Sequence, residues 1–176
     1  MPIPQPPKTA PFTSLFFPLH LALLTVGENM MPIGYWTVIS KDPFRFLISM
    51  GVGNQSLLLL KKTKEAALHF MPWEERERVV RAGYMSGRDH NKAQELGFQL
   101  EPAVALEKTR IIKSADAIFE TRVHMELTNL SREFSPFVLN VVHVHGSLEP
   151  TDHRPILFYS REDFATAGER WEYTKR

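Results

Sequence analysis

The stretch Leu19-His20-Leu21-Ala22-Leu23-Leu24-Thr25-Val26 is almost wholly apolar and closes on Gly27-Glu28-Asn29 before a second apolar run, Met30 to Ile39. Apolar runs of this length bounded by turn residues predict strands, here two strands and a turn. Asp42-Pro43 then breaks the chain. Phe44, Phe46, Ile48 and Met50 alternate with Arg45, Leu47 and Ser49, the period-two pattern of a third strand that ends at Gly51-Val52-Gly53.

Downstream, Asn54 or Ser56 is placed to cap a short helix through LLLLKKTKE, with Lys61, Lys62 and Lys64 in its last turn. Ala67 to Phe70 predicts another strand. Pro72 opens a surface helix in which Glu74 and Arg78, and Glu77 and Arg81, stand at the i, i+4 spacing of helical ion pairs. A third short helix is bounded by Asp89 as cap and Gly97 as stop. Between Ile118 and Thr128 the apolar residues Phe119, Val123, Met125 and Leu127 predict a buried face, and Glu120, Arg122, His124 and Glu126 a wet one. Phe137 to His145, a turn at Pro150-Thr151-Asp152 and Ile156 to Tyr159 complete the β-rich half. Strands joined by short turns, without regular β-α alternation, argue for an antiparallel barrel. A Rossmann reading fails, because no GxGxxG follows a strand and Gly51-Val52-Gly53 lacks the third glycine.

Upstream, prolines at 2, 4, 6, 7, 11 and 18 favour an extended arm over 1–17, packed on its own domain or a neighbouring subunit, ahead of one domain over 18–176. The arm lacks the basic and apolar regions of a signal peptide, and no run reaches the roughly 20 apolar residues that span a bilayer. The 176 residues suit one core. Lys and Arg number 21 against 20 Asp and Glu, so no global field draws nucleic acid or an anionic membrane, and any anion must be held locally. With no cysteine there is no disulfide, thiolate metal site or thiol nucleophile, which suits a reducing cytoplasm.

Three segments are candidate sites. Ser49-Met50-Gly51-Val52-Gly53-Asn54-Gln55-Ser56 joins a strand end, two glycines and a helix start, which is either an ordinary turn or a phosphate cradle. Ser86-Gly87-Arg88-Asp89-His90-Asn91-Lys92 places a hydroxyl, a bare backbone, a guanidinium fork and an ammonium at another helix start, as an anion site or a capped polar loop. Tyr35-Trp36-Thr37-Val38-Ile39-Ser40 offers a stacking surface for a planar ring, unless Trp36 is core. His143 and His145 share a strand face near His124, but neither a Cys nor an HExxH accompanies them, so no metal is expected. No hydrolase motif is present either: GxSxG is missing.

The order of these motifs resembles the flavin reductase-like family of FMN-binding split barrels, which includes flavoredoxin and archaeal ferric reductase. It consists of a strand pair ending in Trp36-Thr37, a Ser40-Lys41-Asp42-Pro43 break, a strand into Ser49, a helix start at Ser56, and then Ser86-Gly87-Arg88-Asp89 with Lys92 and Leu96-Gly97. The resemblance covers about 18–170 and departs from the family pattern at Pro43-Phe44 and over Thr63 to His69. It implies a mainly β chain with short helices, an antiparallel Greek-key split β-barrel that forms a homodimer with noncovalent FMN at the interface. By the resemblance, Trp36, Thr37 and Val38 would line the ring, and Ser49, Met50, Gly51, Asn54 and Ser56 would hold the phosphate side. Ser86, Gly87, Arg88 and Lys92 would complete the pocket. It further implies an oxidoreductase passing electrons from NAD(P)H through FMN to a flavin, ferric or protein acceptor, with no side chain needed as acid or base. Two alternatives remain: a flavoredoxin-like electron carrier without NAD(P)H activity, and a flavin-free interaction barrel in which Arg88 and Lys92 only make salt bridges.

Overall fold

A computed structural model describes residues 10–146 and 152–169, so the first nine residues of the arm and most of the expected turn at Pro150-Thr151 lie outside the described residues. In chain order the elements are β1 (Leu19–His20), β2 (Ala22–Val26), β3 (Asn29–Ile33), β4 (Trp36–Lys41), β5 (Phe44–Gly51) and α1 (Gln55–Thr63). Then come β6 (Glu65–Phe70), a 3-10 turn (Trp73–Glu75), α2 (Arg76–Tyr84), α3 (Lys92–Leu96), β7 (Leu100–Pro102) and β8 (Arg110–Ile112). The chain continues with β9 (Ala117–Glu126), β10 (Phe134–His145), β11 (Leu157–Phe158) and β12 (Phe164–Ala165).

The main sheet has seven antiparallel strands in the order β3-β2-β6-β9-β10-β5-β4. The expected single strand from Met30 to Ile39 is instead two strands, β3 and β4, at opposite edges of this sheet and joined only by Gly34 and Tyr35. A flat sheet of seven strands would set its edges about 29 Å apart, whereas the link reaches at most about 11 Å. The sheet therefore has to curl until its edges meet. They meet without pairing, since β3 and β4 share no ladder, and the result is a split barrel. β1 crosses over the link closely enough that a Cβ at Gly34 would lie 3.1 Å from Leu19 Cδ1.

The apolar run of β2 has no alternation because both of its faces are covered. Ala22, Leu24 and Val26 point into the barrel with Ile48, Leu68, Phe137 and the inner face of α1. Leu21 and Leu23 face outward against Val79 and Ala82 of α2, Leu96 of α3 and Ile156. β6 is buried along its whole length for the same reason, its outer face lying beneath the segment 103–112. That segment is pegged by buried polar groups. The Glu65 carboxylate accepts from Lys108 N at 2.7 Å. The Glu120 carboxylate accepts from Val104 N at 2.8 Å, Ala105 N at 2.6 Å and the His145 Nε2 at 2.6 Å.

Glu120 corrects the expected wet face of β9: it is fully buried. The register slips by one residue at His124 on β9 and at Val142 on β10, so simple alternation does not survive along the pair. Burial alone would raise the Glu120 carboxyl, but its bonds from His145 and the two amides outweigh that and hold it below the usual carboxylate range. Local helix expectations also shift. Asn91, not Asp89, caps α3, its side chain accepting from Gln94 N at 3.2 Å, while Gly97 ends the helix in the left-handed region as expected. Arg78 pairs with Glu75 rather than Glu74, which instead reaches Arg154 at 3.0 Å. The C-terminal segment is fastened by His153, whose Nδ1 lies 2.7 Å from Asp116 Oδ2. Its first strand, β11, pairs with β1.

His69, at the centre of the sheet, uses both ring nitrogens: Nδ1 donates to Leu23 O and Nε2 accepts from Ile112 N, each at 3.0 Å. Burial pushes its pKa down to about 4. The folded value lies below the unfolded one, so the associated stability is complete above pH 6.5 and is lost as pH falls through 4, on the order of 3 kcal/mol. Thermal unfolding followed by circular dichroism should show Tm dropping between pH 6.5 and 4. His69→Gln, which cannot take up the proton, should make that drop shallower, leaving the share of His20, which burial also pushes down to about 4; a wild-type profile level across this range would contradict the account.

Candidate functional site

Two adjoining cavities open where the barrel edges part, and both are lined by Met31, Pro32, Asn54, Gly83 and Tyr84. One, of about 560 Å3, is mostly apolar and runs between β3, the Gly34-Tyr35 link, the end of β5 and the aromatic rings of Phe134, Phe158 and Phe164. The other, of about 430 Å3, is polar and is bounded by Gly53-Asn54-Gln55-Ser56 on one side and Ser86-Gly87 with Lys92 on the other. The two glycine-containing junctions picked out in the sequence therefore face one another across one cavity.

The fold brings them there for identifiable reasons. Asn54 occupies the cap position of α1 in an extended conformation; its carbonyl accepts from Leu57 N at 3.1 Å but its side chain does not cap, so the Gln55 and Ser56 amides keep no partner among the described residues. α2 approaches β3 so closely that a Cβ on Gly83 would lie 2.9 Å from Pro32 Cγ, and its end delivers Ser86 and Gly87 beside Asn29. A Cβ on Gly87 would fall 2.2 Å from Asn29 Oδ1. Asn29 donates through Nδ2 to Ser56 Oγ at 2.9 Å, while its buried Oδ1 has no partner among the described residues. Arg88 ties the junctions together from outside, donating to Gln55 Oε1 at 3.2 Å and Gly53 O at 3.1 Å.

Electrostatically the cavities are one-sided: among the described residues neither is lined by an Asp or Glu. Lys92 lines the polar one and is 6% exposed. Its Nζ donates to Met30 O at 2.7 Å and Ala82 O at 2.8 Å, with its third proton unpartnered among the described residues. Burial pulls its pKa down to about 8. An ammonium held at such cost, with no carboxylate to pair it, marks a site that is completed by an anion. The unpartnered Asn29 Oδ1 calls for the opposite, a hydroxyl or amide donor. Donors for an anion next to an acceptor for a hydroxyl suit a phosphorylated polyol, and the apolar compartment beside them suits a planar ring.

Residues 14–168 match the flavin reductase like domain. The chain belongs to that family. No curated protein matches the sequence at a significant level. Among solved structures the fold is similar to flavoredoxin from Methanosarcina acetivorans, at 15% identity over 96% of this chain and 95% of that one, with a TM-score of 0.83. It is similar to an FMN-binding protein from Thermus thermophilus with bound 1-cyclohex-2-enone, at 22% identity over 99% and 100%, with a TM-score of 0.82. It also resembles nitrilotriacetate monooxygenase component B from Bacillus cereus, at 14% identity over 90% and 89%, with a TM-score of 0.80. At these identities the likeness is one of fold, and it agrees with the split barrel seen here.

Within this flavin reductase like domain the expected site residues divide into two groups. Ser49, Gly51 and Asn54 line the apolar cavity, and Asn54, Ser56, Ser86, Gly87 and Lys92 the polar one. The others do not line either cavity of a single chain. Trp36 is half-buried against Phe46 and Phe70, its Nε1 donating to His20 O at 2.7 Å, so its ring serves the core. Thr37 and Val38 are exposed on β4, the outer edge of the sheet. The Met50 side chain is fully buried inside the barrel. Asn29 is a site residue that the sequence does not single out, because Gly27-Glu28-Asn29 reads only as a turn signal. Of the expected stacking segment it is Tyr35, not Trp36, that lines the apolar cavity. His143 and His145 meet edge to face at 4.6 Å between ring centroids, and His145 is engaged by Glu120.

The contact of Gly87 with Asn29 yields a direct test. Gly87→Ala should displace the Asn29 side chain and lower stability by about 1–3 kcal/mol. In an Asn29→Ala background the same substitution should cost little, so a double-mutant cycle measured by denaturant unfolding should return a large coupling. Additive losses would show that the two do not meet.

Proposed function

We propose that this chain binds FMN noncovalently as a homodimer and passes electrons from NAD(P)H to a flavin, ferric or protein acceptor. The reading rests above all on the polar cavity, where two helix-start junctions, a buried ammonium without a carboxylate, and an unpartnered buried acceptor converge beside an apolar chamber. Family membership supports it, as does the likeness of fold to proteins described as flavoredoxin and FMN-binding protein.

The residues present fit the cofactor. The first amides of α1, the Ser56 hydroxyl and the Lys92 ammonium would hold the phosphate. Asn29 Oδ1 would accept from a ribityl hydroxyl, and the missing side chain at Gly87 keeps Asn29 in place for it. Tyr35 and Phe134, 5.5 Å apart in an edge-to-face pair, would line the ring compartment and exclude water from it. Bound FMN supplies the hydride- and electron-transfer chemistry, which is the cofactor's own. What the chain contributes is position, a positive field at the phosphate and a dry wall. Association of two copies is supported by β4, an unpaired sheet edge on which Thr37, Val38 and Ile39 are exposed.

The purified chain mixed with FMN and desalted should remain yellow, and riboflavin, which lacks the phosphate, should bind at least ten-fold more weakly. Stopped-flow mixing with NADH and NADPH should bleach the bound flavin, with turnover when an acceptor is added. Colour without bleaching would assign the electron-carrier role, and failure to take up FMN would overturn the reading. Because burial places Lys92 at about 8, its charge is present below that pH and lost above it. FMN affinity should therefore weaken between pH 8 and 9.5, while riboflavin affinity does not follow.

A further inference from the structure

The apolar compartment carries a cation that the cofactor's phosphate, assigned to the polar one, does not engage. Among the described residues Arg161 is its single charged lining residue, in a wall otherwise made of aliphatic and aromatic side chains, backbone and a few neutral polar groups. It stands on the exposed turn between β11 and β12. The root of its side chain is fixed: Tyr84 Oη donates to Arg161 O at 2.6 Å, and Tyr159 N and Ser160 N both donate to Asp163 O, at 3.0 and 3.2 Å. No ion pair or hydrogen bond engages its guanidinium among the described residues, and no carboxylate lines the compartment to neutralise it. A cation left unpaired at an apolar cavity attracts the anionic group of whatever enters.

The chemistry of that ligand follows from the walls. Two edge-to-face pairs, Tyr35 with Phe134 at 5.5 Å and Phe158 with Phe164 at 5.7 Å, offer apolar ring faces. A guanidinium fork matches a carboxylate through two parallel hydrogen bonds, a geometry an ammonium cannot reproduce. One planar apolar body with one carboxylate satisfies both features.

We propose that Arg161 is the specificity-determining residue of a second-substrate site in the apolar compartment, selecting small planar aromatic carboxylates. This rests on the FMN reading, which directs the cofactor's phosphate to the polar compartment and so leaves Arg161 without a phosphate partner.

Isothermal titration of the FMN-loaded chain with benzoate and with benzamide, its uncharged counterpart, tests the site without depending on turnover. Benzoate should bind at least ten-fold more tightly than benzamide. Arg161→Gln should abolish that preference while leaving FMN affinity unchanged, and Arg161→Lys, which keeps the charge but not the fork, should restore only part of it. Equal binding of the two probes to the wild type would overturn the proposal. So would a loss of FMN affinity in Arg161→Gln, which would make Arg161 a cofactor residue and leave the FMN reading intact. If the chain takes up no FMN yet still prefers benzoate through Arg161, the cofactor reading fails and the carboxylate site stands.

Discussion

Gly34 and Tyr35 alone carry the chain from one edge of a seven-stranded sheet to the other, and most of what this molecule can do follows from that short link. Seven strands cannot be spanned by two residues unless the sheet curls, and once curled its edges lie close without exchanging hydrogen bonds. The gap between unpaired edges becomes a cleft whose walls are backbone, a strand end and a helix start. Elements that would otherwise be ordinary packing pieces, α2, α3 and the β11–β12 hairpin, are laid across that gap by the outward-facing Leu21, Leu23 and Met30. The cleft is thus a consequence of closure, and its chemistry is set by which residues the closure brings to its rim.

Those residues leave an imbalance of charge and hydrogen bonding that a self-contained protein would not keep. The buried groups of the barrel are satisfied, Glu65 and Glu120 by backbone amides, His69 by a carbonyl and an amide, Thr121 by a carbonyl at 2.7 Å; away from the cavities Thr166 Oγ1, just after β12, lacks a partner among the described residues. In the polar cavity the rule lapses. Lys92 is buried with carbonyl partners only, and Asn29 Oδ1 has none. One group asks for an anion and the other for a donor, within one chamber. This contrast between a fully satisfied barrel and an unsatisfied rim is the physical ground for placing a phosphorylated ligand there.

Much of this was legible in the sequence because local rules and the fold agree. The apolar run 19–26, the alternation from Phe44 to Met50 and the Gly97 stop all describe what their segments do. The junctions at Gly53–Ser56 and Ser86–Gly87 were legible as loop-to-helix transitions, and the order of motifs placed the chain in its family. Where reading failed, long-range contacts decided. Glu120 looks solvated until segment 103–112 covers it, and the bulges at His124 and Val142 depend on the pairing of β9 with β10. Met30 to Ile39 looks like one strand because the break at Gly34 is required by sheet closure, which no local window contains. Trp36 was expected beside a ring but is drawn into the core by Phe46, Phe70 and the His20 carbonyl, and Asn29 gains its meaning only when Gly87 comes to rest against it.

The claim at the centre of this account is that one polar chamber, assembled by barrel closure, receives the phosphate end of a flavin. A crystal structure of the chain with FMN bound addresses it most directly. The account predicts phosphate oxygens within hydrogen-bond distance of Ser56 Oγ and the first amides of α1, with a ribityl hydroxyl on Asn29 Oδ1. A flavin bound elsewhere on the molecule, with Asn29 and Lys92 still keeping only the partners they have now, would contradict it.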